Sequence, residues 1–275
     1  MNTLYVSDLD GTLLTSAGRL SEFAERELNR LIAEGLNFSI ATARSAATAV
    51  QLLENINFNI PVIFMNGVVL YDMERRKFIA HHDFDHEQSA RIIDVLTELN
   101  AKAFVYTIVD GEQICYSLDD SMLNEQMIEF KRERVDDFGK RFETFEDYAE
   151  MRDDVIIYFN LIGTHYEMSR VEYELYKIPG IETILYKDVY TGDWLLEVHK
   201  AGVDKGFATV ELMRRTGADK LVVFADNTND LPMIYKADYS YGVADANVDV
   251  YDAADEIIGS NEDDAVVKKL LDLAK

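Results

Sequence analysis

Cysteine and proline are scarce: one cysteine, Cys115, and three prolines stand in 275 residues. A lone thiol closes no disulfide within the chain, so this is not the disulfide-framed scaffold of a small secreted domain. With only fourteen glycines beside those prolines, collagen-like and low-complexity chains are excluded too. Long apolar runs are also missing. The longest candidate, Pro61 to Tyr71, is broken by Asn66 and Gly67, short of the roughly 18 apolar residues a spanning helix needs, so no membrane partner is expected. Positive charge is the last shortage. Twenty-seven basic against fifty-one acidic residues give a net charge of -24, which repels nucleic-acid backbones and anionic lipid; nucleic acid is therefore not an expected partner. The first residues, Met1-Asn-Thr-Leu-Tyr-Val, lack the charged and apolar segments of a secretory signal, which makes a cytoplasmic protein the expectation.

What is present suffices for a sizeable core, since 48% of the residues are hydrophobic and the length suits one or two domains. From Thr3 the chain alternates short apolar runs with amphipathic stretches: Leu4 to Ser7, Ser21 to Glu34, Leu36 to Ala41, Ser45 to Glu54, Pro61 to Met65. Strands separated by helices predict right-handed crossovers and a parallel sheet, an α/β fold. The rhythm returns late, with a helix from Asp204 to Arg215, a strand from Leu221 to Ala225, a helix from Leu231 to Ala237, a strand from Tyr239 to Val243, and a terminal helix capped at Ser260. The middle differs. Ala103 to Val109 and Gln113 to Leu118 flank Asp110-Gly111, a hairpin signal, with helices over 86–100, 120–133 and 165–177 and strands over 155–162, 181–186 and 194–199. This pattern predicts an antiparallel sheet with helices on one face, an inserted α+β domain over 84–192, within a discontinuous core of 1–83 and 193–275. The joints are expected near 81–84 and 189–193, and the tyrosines 166, 173 and 176 are expected to pack inside the insert.

The sharpest motif is Asp8-Leu9-Asp10-Gly11-Thr12, directly after the first apolar strand. Parallel sheets bind ligands at the carboxyl ends of their strands. Carboxylates spaced i and i+2 there can face one side, and Gly11 lets the chain turn away; one can attack phosphorus while the other handles a proton. Asp226-Asn227-Thr228-Asn229-Asp230 follows the strand Leu221 to Ala225. Carboxylates from two strand ends can share a hard divalent cation, for which oxygen ligands suit Mg²⁺, although Thr228, Asn229 or Asp230 could simply cap the next helix. Thr42 and Arg44 close the strand Leu36 to Ala41, a place where a hydroxyl and amides can bind an anion. Lys205 begins a helix that Asp204 can cap, where the macrodipole disfavours a cation unless a phosphate is bound. On that view its partner is the phosphate rather than a structural carboxylate, and its loss would harm catalysis without unfolding the chain. His81, His82 and His86, with Asp83 and Asp85, contain transition-metal donors, but no helical His pair or cysteine fixes a tetrahedral site, so no zinc is expected.

With these motifs in this order, the chain resembles the haloacid dehalogenase superfamily, specifically its Cof-type phosphatases with a large α/β cap. The resemblance spans the chain and implies a Rossmann-like parallel-sheet core and an inserted α+β cap. It also implies Mg²⁺-dependent hydrolysis of small phosphomonoesters, sugar phosphates or related metabolites, through an aspartyl-phosphate. By the same resemblance, Asp8 is the nucleophile and Asp10 the general acid and then base. Thr42, Lys205 and Asn229 bind phosphate; Asp8, the Asp10 carbonyl and Asp226 hold Mg²⁺; and Asp230 supports them from behind. The partner is a small phosphorylated metabolite, with the oligomeric state, monomer or weak dimer, left open. A phosphotransferase or phosphomutase using the same intermediate, and a non-catalytic binder of a phosphorylated metabolite, are the alternatives. The chain departs from the family at Ala43 and Ala225, where glycine is usual, and at Asn261-Glu-Asp-Asp-Ala, where Asn-Asp-Gly-Val is usual.

Overall fold

Leu4 and Val6 are wholly buried, and the strand they form, Thr3–Ser7, lies inside a five-stranded sheet. The computed structural model describes residues 2–151, 154–187 and 191–275. In spatial order the sheet runs Glu256–Ile257, Tyr239–Gly242, Lys220–Ala225, Thr3–Ser7, Asn37–Ile40, and every neighbouring pair is parallel. The chain leaves Thr3–Ser7 for Asn37–Ile40 on one side, and its late strands fill the other. The strand order therefore reverses between Thr3–Ser7 and Lys220–Ala225, and the crevice at such a switch point is where parallel sheets receive ligands. Leu4, Val6, Leu221, Val223 and Ala225 share one buried cluster with Ala208 and Leu212 of the helix Lys205–Thr216.

The helices of this part follow their caps. Ser21 accepts from the Ala24 N–H at 2.9 Å and starts Glu22–Ala33, whose Ala24, Leu28, Leu31 and Ile32 are buried at helical spacing. The expected helix over 45–54 is instead a short helix, Ala46–Ala49, with a 3-10 turn at Gln51–Leu53. Ser260 caps a 3-10 turn, Asn261–Asp263, and the terminal helix Ala265–Leu273 begins only after Asp264. Asp264 has a left-handed φ of 56°, the conformation glycine takes at lower cost. Two strands absent from the sequence reading, Val69–Asp72 and Lys77–His81, join Val62–Phe64 in a three-stranded sheet.

The chain divides into two compact units, Met1–Ala80 with Val203–Lys275, and His81–Gly202. The second joint thus falls at Gly202/Val203 rather than at 192/193. Trp194–Lys200, expected in the core, pairs antiparallel with both Ile156–Gly163 and Ile181–Lys187, and this pairing carries it into the second unit. Val189 and Tyr190, expected at the joint, lie outside the described residues.

The second unit holds a six-stranded sheet in the order Ile181–Lys187, Trp194–Lys200, Ile156–Gly163, Phe104–Val109, Glu112–Ser117, Phe142–Thr144. Its pairs are antiparallel except the last. Asp110 and Gly111, at φ 52° and 82°, form the expected hairpin turn. Helices cover both faces, not one. Ile92, Ile93 and Leu96 of His86–Glu98 and Met168, Val171 and Leu175 of His165–Leu175 pack with Val105, Phe159 and Leu161. The pleat sends Phe104 to the opposite face, where Phe130 of the helix Glu125–Phe138 stacks on it at 5.3 Å. That helix starts later than expected because Asn124 is its cap, accepting from the Met127 N–H at 2.8 Å. The tyrosines 166, 173 and 176 are exposed rather than packed. Met168, Val171 and Leu175 form the competing apolar stripe of the same helix and take its buried face.

Candidate active site

Asp8 follows the strand Thr3–Ser7 and Asp226 follows Lys220–Ala225, two strands that pair with Ser7 opposite Phe224. The Asp8 N–H donates to the Phe224 carbonyl at 2.9 Å, so the sheet's own register sets the two carboxylates side by side. Gly11 takes a φ of 83°, and a Cβ there would collide with the Asp226 carboxylate; the close approach of the Asp8 loop therefore requires glycine. Thr12 donates its hydroxyl to Asp226 Oδ1 at 2.8 Å.

Lys205 enters from the helix Lys205–Thr216, which Asp204 caps by accepting from the Phe207 N–H at 2.7 Å. Lys205 shares the inward stripe of that helix with Ala208, Thr209 and Leu212. Its side chain is 1% exposed, and Nζ donates to Asp8 Oδ1 at 2.5 Å and to Asp230 Oδ1 at 2.6 Å. Lys205 is therefore neither the solvated surface lysine a lone motif suggests nor a residue without carboxylate partners. Asp230 is wholly buried, and its Oδ2 accepts from the Asp226 and Asn227 N–H groups at 3.0 and 3.1 Å. The cap of the Thr228–Asp230 turn is Asn227, in a reciprocal box with Asp230, not Thr228 or Asn229.

One oxygen each from Asp8, Asp226 and Asp230 lies within 4.8 Å of the others, the one such group of potential metal ligands among the described residues. The histidines 81, 82 and 86 form none. Burial pushes the Asp8 carboxyl well above the usual carboxylate range, with Asp230 and Asp226 adding to it and Lys205 opposing. Asp226 is raised for the same first reason, burial, and then by Asp230. Burial alone would lower Lys205, but Asp230 and Asp8 outweigh it and hold the ammonium charged. Three carboxylates against one ammonium leave a surplus of negative charge. An all-oxygen donor set that resists ionising together fits a hard divalent cation such as Mg²⁺.

Asp10 stands apart from this cluster. Its carboxylate accepts from Arg44 Nε at 2.8 Å and from Arg44 Nη2 at 2.6 Å, a bidentate pair. Thr42 is buried at the end of the neighbouring strand, the Ala41 N–H donating to the Ser7 carbonyl at 2.9 Å, and its hydroxyl accepts from the Arg44 N–H at 3.1 Å. Asn229 donates through Nδ2 to Asn66 Oδ1 at 3.2 Å. The two departures at glycine positions are harmless to these contacts. Ala43 is exposed and Ala225 packs in the core cluster. Sequence reasoning named Arg44 without assigning it a partner and missed Asn66; the Asn66-Gly67 pair inside an apolar run is a turn signal that could have marked it.

Residues 5–270 match the family model described as haloacid dehalogenase-like hydrolase. Among curated relatives, the phosphatase YwpJ of Bacillus subtilis is 22% identical and the alignment covers 96% of each chain. The 5-amino-6-(5-phospho-D-ribitylamino)uracil phosphatase YbjI of Escherichia coli is 23% identical over 96% of this chain and 93% of its own. A haloacid dehalogenase-like hydrolase from Bacteroides thetaiotaomicron has a similar fold, with a TM-score of 0.81 at 19% identity, covering 99% of this chain and all of its own.

Proposed function

We infer that this chain, which belongs to the haloacid dehalogenase-like hydrolase family, is a phosphatase that hydrolyses small phosphomonoesters, sugar phosphates or related metabolites, with Mg²⁺ and through an aspartyl-phosphate. The observation that carries this reading is the constellation of buried Asp8, Asp230 and Lys205 with half-buried Asp226 at the switch point of the parallel sheet. Names of relatives that act on phosphate esters support it.

In this reading Asp8 and Asp226, with the Asp10 carbonyl, hold Mg²⁺, which when bound offsets the charge of phosphate beside carboxylates. Thr42, Lys205 and Asn229 receive the phosphate oxygens. An Asp8 oxygen attacks phosphorus as the bond to the ester oxygen breaks, and Asp10 gives that oxygen its proton. Asp10 then takes a proton from water as the water attacks the aspartyl-phosphate, releasing inorganic phosphate and restoring Asp8. Both Asp10 oxygens accept from Arg44, so the carboxyl has to leave at least one of those bonds to carry a proton. Asp230 grips Lys205 and the Asp226 backbone, and its part is positioning. None of these residues belongs to 81–202.

The test is phosphate release by the purified protein from sugar phosphates, polyol phosphates, nucleotides and pyridoxal phosphate, with and without Mg²⁺. Turnover of several small esters is expected. Silence across the whole panel with Mg²⁺ present would return the chain to a binding role.

A further inference from the structure

Three consecutive residues with positive φ follow the strand Val62–Phe64: Met65 at 53°, Asn66 at 52° and Gly67 at 104°. Side chains disfavour this region, asparagine less than most, and such strain persists only where the surroundings over-determine it. Here they do. The Met65 N–H donates to the Arg44 carbonyl at 2.9 Å and the Asn66 N–H to the Thr42 carbonyl at 3.0 Å. Gly67 lies so close to the carbonyl of Asp204, the cap of the Lys205 helix, that a Cβ would collide with it. Asn66 is buried, and its Oδ1 accepts from Asn229 Nδ2. One short turn therefore touches the Thr42 to Arg44 stretch, the start of the Lys205 helix and Asn229.

We propose that Asn66 is a positioning residue for phosphate binding, its backbone fixing the Thr42 to Arg44 stretch and its side-chain oxygen aiming Asn229. The proposal rests on the phosphatase reading above. A backbone that only needs positive φ is served by glycine, as at the next position, so the side chain at 66 answers to something else. The Asn229 amide nitrogen carries two hydrogens. The bond to Asn66 takes one and fixes the amide plane, which orients the other as a donor for an anionic oxygen. Asn66 itself need not touch substrate.

The experiment measures kcat and KM for p-nitrophenyl phosphate and inhibition by inorganic phosphate, in Mg²⁺, for the full chain and for Asn66→Gly, Asn66→Ala, Asn229→Ala and the double variant Asn66→Gly/Asn229→Ala. Asn66→Gly adopts the same backbone freely, so its thermal midpoint stays close to wild type, whereas Asn66→Ala strains the turn and melts lower. Asn66→Gly should raise KM and the phosphate inhibition constant about 10-fold, the scale of a hydrogen bond to a charged group, with a smaller change in kcat. The double variant should be no worse than Asn229→Ala alone, because the two side chains act as one unit. Wild-type constants for Asn66→Gly, or effects that multiply in the double variant, would overturn the assignment. If wild type hydrolyses no ester, the phosphatase reading falls, and the positioning role is read from the rise in thermal midpoint caused by inorganic phosphate with Mg²⁺. Loss of that rise in Asn66→Gly and in Asn229→Ala sustains the role, its retention in Asn66→Gly refutes it, and its absence in wild type refutes both the role and the phosphatase reading.

Discussion

Lys205 sits between two buried carboxylates, Asp8 and Asp230, so its removal acts on the fold as well as on the phosphate binding proposed for it. Stripping one partner from a buried ion pair costs roughly 3–5 kcal/mol, because the stranded charge cannot reach water. Lys205→Ala should therefore lose most activity and also unfold at clearly lower urea concentration, in place of the intact fold that a phosphate partner alone predicts. A variant with wild-type urea stability would show that the pair is not formed in solution. Asp10 is the contrasting case. It is about half exposed and paired only at the surface of the site with Arg44, and such pairs contribute little to stability. Asp10→Asn should leave the fold unchanged and slow turnover by about 10² to 10⁴, the range of general acid-base catalysis. With an aryl phosphate, whose leaving group needs little protonation, the first step should suffer less than the second. Rapid-quench mass spectrometry should then find a phosphate adduct on Asp8. An adduct elsewhere, or wild-type turnover by Asp10→Asn, would overturn the roles proposed for the two aspartates.

At the scale of elements, helix ends decide where several charged groups go. The helix Glu125–Phe138 closes on Gly139 at φ 59°, with the Gly139 N–H donating to the Val135 carbonyl at 3.0 Å, the bond of an αL closure, and the Lys140 N–H to the Arg134 carbonyl at 2.9 Å. The turn buries Lys140, whose Nζ donates to the Tyr106 hydroxyl at 2.9 Å and lies 5.4 Å from the Phe142 ring centroid. Burial pushes Lys140 down to about 8 from 10.5. The folded value is the lower one, so between the two the unfolded chain binds more protons and stability rises with pH. The gain from pH 8 to 10.5 is about 3 kcal/mol at 1.36 kcal/mol per unit. Lys140→Met has no such proton to lose. Its advantage over wild type should be largest near pH 7 and shrink by that amount as pH rises to 10.5, measured as urea midpoints of both proteins. Parallel curves would place Lys140 in water.

For the whole molecule, charge is the dominant fact. A chain of net charge -24 binds an anionic ester only where that charge is locally reversed, and the carboxylate cluster does not reverse itself. Removal of divalent metal should stop hydrolysis, and restoring Mg²⁺ should both rescue it and raise the thermal midpoint, because an ion that binds only the folded state stabilises it by mass action. Full hydrolysis in excess chelator, by protein that elemental analysis shows to be free of metal, would contradict the proposed role. The helix Lys205–Thr216 and the loop after Thr3–Ser7 are about 200 positions apart in sequence, and Lys205 and Asp8 are 197 apart. Packing of that helix against the sheet, Ala208 and Leu212 beside Leu4 and Val6, brings them together.

Much of this was readable from local pattern. Alternation of apolar runs and amphipathic stretches specified the parallel sheet, because burial on both faces selects such runs, and it placed Asp8, Thr42 and Asp226 at strand ends. Even Lys205 pointing inward was implicit in its spacing from Ala208, Thr209 and Leu212. Which carboxylates it would meet was not, since that depends on the pairing of strands remote in sequence. The same holds for Arg44 on Asp10, for Asn229 on Asn66 and for Trp194–Lys200, whose apolar residues suit either sheet until Ile156–Gly163 and Ile181–Lys187 offer it two hydrogen-bonding edges. The sequence determined by itself most of the elements of the parallel core and the residues at their ends, because period and capping are local. The tertiary structure decided the partners, because a hydrogen bond across 197 positions has no local signature.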